Sequence, residues 1–375
     1  MTAEFEEMET DSDSWREALL DDLLGSIRVR SSIFLRAALD APWGVTVDAR
    51  TYGDALLQFR RVKSTSPPRE RSFGSQRACF HIVAAGSCWL QMASVPGPIR
   101  LAAGDFVVFP QADLHVMRDA PITRTQSLLD LLRASPPSSN GEVRLGGGGV
   151  STRIVCGGMR FDHVKTNPLL AALPPLIHVK GSEDGGAPWL RLTVQHLVDE
   201  LDSDRTGVEA VVSRLADILF IGAVRRYIEE CLASAESGWL AAVRDHQIGR
   251  AIALVHSDPA RPWTVAALAD EVASSRSAFA SKFTRLVGEP PLRYLTRVRL
   301  GVAARRLRDT NDKLLVVAAA AGYDSAAAFT RAFERYLGVT PGEYRRAHSG
   351  SCVGQAPESL DDRQSMRASQ AITSQ

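Results

Sequence analysis

The feature that most constrains this chain is an internal repeat near its C-terminus. When residues 264–297 are aligned with residues 314–347, nine of the 34 positions are identical. The identical pairs are Ala269/Ala319, Ser275/Ser325, Ala278/Ala328, Phe279/Phe329, Phe283/Phe333, Arg285/Arg335, Gly288/Gly338, Pro291/Pro341 and Tyr294/Tyr344. Because these pairs fall at capping, core and turn positions, each copy is predicted to be one supersecondary unit of the same design.

Each copy has the pattern of two helices joined by a tight turn. In the first copy, Ser275 is placed to cap the second helix, since its hydroxyl can accept a bond from a free amide of the first turn. Phe279 and Phe283 recur four residues apart on one face, and Gly288 before two prolines ends the helix. The second copy repeats these positions. The repeat therefore predicts two helix-turn-helix units.

The exposed face of each second helix is predicted to approach DNA. Its residues are small or polar: Ser277, Ala280 and Ser281 in the first copy, and Ala327, Thr330 and Arg331 in the second. Small side chains let a helix lie deep in the major groove, and Arg331 is able to contact guanine or phosphate. Two alternatives stay open, because phenylalanine stripes are typical of any helical core and helix pairs also build protein-interaction solenoids.

Charge favours the nucleic-acid interpretation. Residues 245–348 contain 16 Lys and Arg against 10 Asp and Glu, whereas the rest of the chain contains 28 against 33. The overall charge of +1 therefore hides a basic C-terminal module. A basic module is what binding to phosphates requires.

The segment between the two copies, residues 290–310, is predicted to form one long helix. Its apolar face is predicted to comprise Leu292, Leu295, Val298, Val302 and Leu307. This helix would set the distance between the two recognition helices. A separation of about 34 Å would let both enter successive major grooves on one face of DNA.

The C-terminal segment resembles the AraC/XylS-type DNA-binding domain over about residues 245–347. The resemblance is carried by "RPWTVAALADEV", "SSRSAFASKFTRLVGEPPLRYLTRVRL", "VAAAAGYDSAAAFTRAF" and "GVTPGEYRR". It implies a seven-helix domain that binds double-stranded promoter DNA, with RNA polymerase as a further partner and a homodimer as the assembly. Carried over by position, the implied DNA-binding residues are Arg276, Ser277, Ala280, Ser281, Lys282, Ala327, Thr330 and Arg331.

The N-terminal half has a different pattern. Residues 14–27 suit a short amphipathic helix, and β-rich segments punctuated by Gly, Pro and Asp run from about 30 to 119 and again near 151–163. This pattern predicts a small β-barrel or jelly roll. It resembles the cupin-type sensor domain that precedes some AraC-type domains, through "APWGV", "FHIVAAGSCWL", "LAAGDFVVFPQADLH" and "VCGGMRFD". That resemblance implies an unidentified small-molecule effector.

The predicted fold class is α+β with two domains, a cupin-like β-barrel with trailing helices and an all-α domain with two helix-turn-helix units. The predicted boundaries are a disordered acidic tail at 1–13, a sensor and dimerisation domain at 14–235 with helices at 188–233, the DNA-binding domain at 236–348 and a disordered tail at 349–375. Residues 60–77 are predicted to be a disordered loop or a phosphate contact, and residues 134–149 a flexible linker.

The second trailing helix, predicted at 207–233, carries a strongly apolar face. This face comprises Val211, Leu215, Ile218, Leu219 and Gly222. Such a face belongs either to the core or to a dimer interface, and we expect it to serve both.

The remaining composition indicates a cytoplasmic protein. The N-terminus lacks the apolar run of a signal peptide, and the longest apolar runs are far too short to span a membrane. Cys79, Cys88, Cys156, Cys231 and Cys352 are scattered without a CxxC motif. An odd, dispersed set of this kind favours reduced thiols.

The barrel raises the question of a ligand or metal site. His81 and His115 lie on the strands where cupins place metal ligands, but the HxH pattern of cupin enzymes is missing. Two histidines fall short of the usual three protein ligands of a catalytic zinc. Cys156 or His163 could complete a set. Three roles stay open: structural or ligand-orienting histidines, a bound metal, and oxidant sensing by Cys79, Cys88 or Cys156. No other cofactor is expected.

Two hypotheses of function follow. In the first, the chain is a transcription regulator whose barrel senses a small molecule or a redox signal and whose helical domain binds promoter DNA. A ligand would then shift the population of two domain arrangements. In the second, the barrel is a metal-dependent cupin enzyme with an accessory helical interaction module. The incomplete ligand set favours the first hypothesis, so the chain is predicted not to be an enzyme.

Overall fold

The computed structural model describes residues 2–49, 76–138, 141–161, 166–181, 188–203, 205–234 and 238–348. Its strands are β1 Val29–Asp40, β2 Gly44–Val47, β3 Gln76–Ala85, β4 Ser87–Met92, β5 Ile99–Ala102, β6 Phe106–Phe109, β7 His115–Arg118, β8 Gln126–Ser127, β9 Glu142–Gly146, β10 Ser151–Phe161 and β11 Ile177–Val179. Its helices are α1 Thr2–Gly25, α2 Leu128–Ala134, α3 Pro168–Ala171, α4 Pro188–Leu201, α5 Val208–Ser234, α6 Gly238–Arg244, α7 His246–Ser257, α8 Val265–Glu271, α9 Arg276–Val287, α10 Pro291–Asp309, α11 Leu314–Ala320, α12 Ala326–Leu337 and α13 Pro341–His348.

The strands form two sheets that face each other. One sheet has six strands in the order β11-β6-β3-β10-β1-β9, and the other has five in the order β5-β4-β7-β2-β8. An apolar core fills the space between them. The predicted two-domain α+β class, with a cupin-like β-rich region before a helical domain, is therefore confirmed.

The six-stranded sheet is buried on both faces. Along β3, Cys79 and Val83 belong to the core inside the barrel, whereas Phe80 and Ile82 belong to the core shared with the helices. This alternation follows from the two-residue period of a strand. On β10, a Cβ at Gly157 would lie 2.1 Å from Cζ of Phe80, so only glycine admits the phenylalanine ring there.

The glycine-rich segment at 134–149 is not a flexible linker, so that prediction was wrong in its central part. Residues Glu142–Gly146 form β9, which pairs in parallel with β1. Gly146 has a φ of +122°, and a Cβ there would lie 1.7 Å from the carbonyl oxygen of Asp40. The glycines therefore serve close backbone approach rather than flexibility.

The first helix is longer than predicted. It extends from Thr2 to Gly25, through the acidic segment for which disorder was expected, whereas the prediction began at residue 14. Leu19, Leu20 and Leu23 are buried against the rest of the protein. The other predicted tail, 349–375, and residues 60–75 of the loop predicted at 60–77 lie outside the described residues, whereas residues 76–77 begin β3.

The two trailing helices, α4 and α5, confirm the predicted helices at 188–202 and 207–233. They cross closely at Gly222, where a Cβ would lie 1.9 Å from Cη2 of Trp189. On α5, Leu219 and its inward neighbours are buried, whereas Val211, Ile218 and Ile221 are exposed. The helix thus supplies both a core face and an exposed apolar face.

The C-terminal domain has the seven helices α7–α13 that the family resemblance implies. The predicted caps are present: Ser275 Oγ accepts from the N–H of Ala278 at 3.3 Å, and Ser325 Oγ accepts from the N–H of Ala328 at 3.2 Å. Gly288 and Gly338 end α9 and α12 with φ of 85° and 80°. These values lie in the left-handed region that favours glycine.

The two helix-turn-helix units differ in how they are supported. Phe279, Phe283 and Tyr294 of the first unit belong to the core that continues through α5 and α6 to the barrel. Phe329 and Phe333 of the second unit belong to a separate, smaller core with the second half of α10. The first unit is therefore continuous with the sensor domain, and the second is attached through α10.

The apolar face of α10 was predicted correctly at Leu295, Val298 and Leu307, whereas Val302 is half-buried and Leu292 is exposed. Leu292 is 45% exposed, because the buried face begins at Pro291 and continues through Tyr294, Leu295 and Val298. Arg297 is buried on this face, where it pairs with Glu289 at 2.8 Å. A buried arginine requires such a partner.

A second set of contacts joins the two units. Arg299 of α10 donates through Nε to the carbonyl of Pro259 at 2.7 Å. At the turn of the second unit, Gly322 has a φ of +74°, and a Cβ there would lie 2.9 Å from Cα of Ala260. The loop after α7 therefore packs against the turn of the second unit.

Among the helices of the described residues, none combines the length and apolar character needed to cross a membrane.

The buried aromatic stripes generate the first prediction. Phe283→Ala and Phe333→Ala should each lower the free energy of unfolding by about 3–5 kcal/mol, because each removes a fully buried ring and leaves a cavity. Chemical denaturation of the full chain, followed by far-UV circular dichroism, measures this. Leu292→Ala is the control, with a change within about 0.5 kcal/mol expected at this exposed position. An unfolding curve for either phenylalanine variant that superimposes on that of the parent would contradict the assignment.

Candidate functional site

The first candidate site is the outer face of the two recognition helices, α9 and α12. Most predicted contacts lie on that face: Arg276, Ser277, Ser281, Ala327 and Arg331 are exposed, and Ala280 and Thr330 are half-buried. The phenylalanines on the opposite side are buried. The local sequence therefore orients each helix as predicted, with its small and polar residues directed away from the domain.

Lys282 differs from the other candidates. Its ammonium group lies 2.8 Å from the carboxylate of Asp245 and donates to Oε1 of Gln247 at 3.1 Å. Burial raises the pKa of Asp245, but the hydrogen bonds from Lys282 and from the N–H of Ile248 outweigh it and lower that pKa. Lys282 thus holds α9 against the start of α7.

The second candidate site lies inside the barrel, where side chains from both sheets meet. Cys79 and His81 come from β3, Cys156 from β10 and His115 from β7. His81 Nδ1 lies 2.9 Å from Cys156 Sγ, and His81 Nε2 lies 2.8 Å from His115 Nε2. The ring of Phe109 stacks on His115 with centroids 3.8 Å apart and fixes its plane.

The hydrogen bonds of this cluster have a single consistent proton arrangement when both histidines are neutral. The carbonyl of Asp113 can only accept, so His115 Nδ1 carries a proton and donates at 2.8 Å. His115 Nε2 is then an acceptor, and His81 Nε2 must donate to it. His81 Nδ1 in turn accepts from the thiol of Cys156. Each of these three hydrogen bonds therefore has one donor, one acceptor and one proton between them.

Burial keeps the whole cluster neutral. It lowers the pKa of His115 to about 4 and the pKa of His81 well below its usual value, with a further contribution from His115. Burial likewise raises the pKa of Cys88 and Cys156 to about 12, and it raises that of Cys79 further. Thiols of this kind are poor nucleophiles, because the thiolate is the reactive form.

A small cavity adjoins the cluster. It has a volume of about 30 Å³ and is lined by His81 and Cys156 at one side and otherwise by apolar side chains, among them Trp43 and Met117. A typical organic-ligand pocket is roughly ten times larger, at about 300–1,000 Å³. The space suits a single ion or water.

The structure brings together His81, His115 and Cys156, the three residues predicted from sequence as a ligand or metal set. It adds Cys79, whose sulfur lies with one nitrogen from each of His81 and His115 within a mutual 4.8 Å. The Cys79-x-His81 spacing on a strand could have indicated this, because alternate residues share a face. His163 lies outside the described residues.

Comparison with known proteins places both parts of the chain. A family model described as Cupin matches residues 18–229, and one described as Helix-turn-helix domain matches residues 268–347. A putative AraC-like transcription regulator of Streptomyces lividans is 32% identical over 331 residues, which are 87% of this chain and 97% of that protein. This chain belongs to the AraC-like transcription regulators. The HTH-type transcriptional regulator AlkR of Acinetobacter baylyi is 30% identical over 274 residues, which are 71% of this chain and 87% of AlkR.

Membership in the AraC-like regulators confirms the first hypothesis at the level of function. The chain is a DNA-binding transcription regulator with a cupin-type N-terminal domain. A second AraC-like relative, from Streptomyces antibioticus, is 31% identical over 336 residues, which are 87% of this chain and 98% of that protein. The matched length spans both domains, so the likeness extends to the whole two-domain plan.

Burial of the thiols generates a prediction about their reactivity. In the native AraC-like regulator at pH 8, Cys79, Cys88 and Cys156 should react with a thiol reagent only after unfolding, since a pKa of about 12 leaves about one thiolate in 10⁴ at pH 8. Cys231 is half-buried and is the internal positive control. Labelling followed by peptide mass spectrometry, with and without denaturant, makes the comparison. Rapid labelling of Cys79 or Cys156 in the folded protein would instead support an oxidant-sensing thiol.

Proposed function

We propose that this AraC-like regulator acts in the cytoplasm as a sequence-specific promoter-binding protein whose barrel receives the regulatory signal. The observation that carries the proposal is that β3 is buried on both of its faces. Cys79 and His81 point into the barrel, whereas Phe80 and Ile82 point into the core that contains Phe283 of the first recognition helix. A displacement of Cys79 or His81 would thus move neighbouring residues of the same strand that belong to the core of α9.

The path from the barrel to α9 runs through side chains of one buried core. Phe161 of β10 packs on Phe220 of α5, with ring centroids 4.7 Å apart. The indole N–H of Trp239 on α6 donates to the hydroxyl of Tyr294 at 3.2 Å, and the Tyr294 ring contacts Phe283 edge-on. Burial lowers the pKa of His256 to about 3, so its neutral Nε2 accepts the Tyr294 hydroxyl proton at 2.9 Å.

The recognition faces favour a division of roles between the two helices. On α12, the Thr330 hydroxyl donates to the carbonyl of Ala326 at 2.8 Å, which leaves its methyl group with Ala327 as an apolar surface. Such a surface suits thymine methyl groups, and Arg331 beside it suits guanine or phosphate. On α9, Arg276, Ser277, Ala280 and Ser281 supply phosphate and base contacts.

RNA polymerase, bound at the promoter, is the proposed partner of the DNA-bound regulator.

The geometry of the cluster argues against the enzyme alternative. A metal-dependent cupin enzyme needs an open coordination position that its substrate can reach. The cavity beside His81 has a volume of about 30 Å³, and the cluster residues Cys79, His81 and His115 are at most 2% exposed. We therefore propose that the barrel performs no catalysis.

We further propose that the regulator is a homodimer through the exposed face of α4 and α5. Trp189 and Leu192 of α4, and Val211, Ile218 and Ile221 of α5, are exposed large apolar residues on two helices that pack on each other. An exposed apolar surface of this kind marks an interaction site. Two copies related by a twofold axis would bury the same patch on each.

The assignment of α12 generates a DNA-binding prediction. Arg331→Ala should weaken binding to the specific site by about 1–3 kcal/mol while binding to random DNA changes much less, because a bidentate guanine contact discriminates between bases. Arg133→Ala, an exposed arginine on α2 of the barrel domain, is the matched control. Fluorescence anisotropy with both DNAs measures the difference. An equal loss on both DNAs would show that Arg331 is a phosphate contact only.

The dimer proposal has its own test. Ile218→Glu should convert the dimer to a monomer in size-exclusion chromatography with light scattering, because it places a charge at the centre of the apolar patch. Ile122→Glu, at a residue that is 93% exposed in a loop of the barrel, is the control and should leave the mass unchanged. A parent chain that is already monomeric at micromolar concentration would contradict the proposed interface.

A further inference from the structure

Three soft or borderline ligand atoms converge inside the barrel, on side chains that are at most 2% exposed. They are Sγ of Cys79 and one ring nitrogen each of His81 and His115, all within 4.8 Å of one another. Ligands bound about 2.0–2.3 Å from one metal ion lie about 3.3–3.8 Å apart, so only small shifts separate these atoms from a coordination shell. In particular, the two Nε2 atoms, now 2.8 Å apart, would separate by about 0.5 Å.

The surroundings of these atoms also resemble the outer shell of a metal site. His115 Nδ1–H donates to the carbonyl of Asp113, which fixes the tautomer and directs Nε2 toward His81. Metal-bound histidines nearly always make such a bond through their other nitrogen. Stacking of Phe109 on His115 holds the ring plane. The imidazole is therefore oriented before any ligand arrives.

The charge of the ligand set decides which ion fits. Of the three ligands, only Cys79 becomes an anion when it binds a metal, and the two imidazoles bind as neutral groups. The carboxylate of Asp113 lies outside the converging group. A divalent ion would leave an uncompensated positive charge in an apolar interior, which is strongly unfavourable, whereas a monovalent ion gives a neutral complex.

We propose that Cys79, His81 and His115 form a binding site for one monovalent thiophilic cation, Cu⁺, and that this ion is the signal that the barrel receives. Thiolate and imidazole are ligands that suit Cu⁺. The adjoining cavity of about 30 Å³ has room for an ion but not for an organic effector. The signalling role of the ion rests on the function proposed above, whereas binding of the ion to the three side chains does not depend on that function.

Proton balance predicts how the cluster responds. Binding removes one proton from Cys79, which leaves to solvent. The proton on His81 Nε2 moves to Nδ1, which then donates to Cys156 Sγ in place of accepting from it. Cys156 keeps its own proton and becomes the outer partner of His81. One proton is therefore released for each ion bound, and His81 changes from the tautomer protonated at Nε2 to the tautomer protonated at Nδ1.

The test uses the full chain with Cys231 and Cys352 replaced by serine, so that more accessible thiols do not compete. Cu⁺ is supplied anaerobically as its bicinchoninate complex, and loss of the colour of that complex reports transfer to the protein. One equivalent per chain is expected. Cys79→Ser and His115→Asn should each weaken binding by more than about 100-fold, since outer partners alone change metal affinity 10–100-fold.

Cys88→Ser is the matched control. Cys88 is equally buried in the barrel core but is not part of the converging group, so its variant should bind Cu⁺ as the parent does. Cys156→Ala should weaken binding by about 10-fold, as loss of an outer partner does. Near-UV circular dichroism checks that each variant is folded. If Cys79→Ser does not fold, His115→Asn decides the question.

Three results would overturn the proposal: no transfer of Cu⁺ to the full chain, binding that survives both Cys79→Ser and His115→Asn, or displacement of Cu⁺ by equimolar Zn²⁺. DNA binding by the same samples separates this inference from the function proposed above. Specific DNA binding without Cu⁺ binding would overturn only the metal site. Cu⁺ binding without any effect on specific DNA affinity would refute only the signalling role.

Discussion

Burial of the six-stranded sheet on both faces is the constraint on which the rest of the structure depends. Because alternate residues of β3 face opposite cores, the strand that carries Cys79 and His81 also carries Phe80 and Ile82 into the core of the helices. Protein interiors are close-packed, and they therefore transmit small displacements rather than absorbing them. The strand that carries the barrel cluster therefore also contributes to the core of the first recognition helix, and this shared strand is the basis of the proposed effect of the barrel on DNA binding.

The two helix-turn-helix units take different positions in this body. The first shares its core with the sensor domain, whereas the second has a core of its own and is held by α10, by the bonds of Arg299 and by the close approach of Gly322 to Ala260. We propose that a rearrangement near the barrel acts first on α9 and thereby changes its relation to α12. Since both helices must fit successive major grooves, a small change in that relation is enough to alter affinity.

Much of this could be predicted from the sequence, because local signals agreed with the final packing. The repeat, the serine caps, the glycine stops and the phenylalanine stripes all follow from short-range rules. The features that were missed depend on contacts between distant segments. Glycines at 146–149 look like a linker until their approach to the end of β1 is known, and nothing in the local sequence indicates that Lys282 pairs with Asp245. Leu292 matches the helical period, but the neighbours of α10 leave it exposed.

The central claim is that both recognition helices bind one DNA site in successive major grooves. The most direct test is selection of bound sequences from a random DNA pool with the full chain, followed by sequencing. The account predicts an enriched site of two short boxes with centres about 10 base pairs apart, of which Arg331→Ala loses preference at one. A pool that shows no enriched sequence, or a single box unaffected by Arg331→Ala, would contradict it.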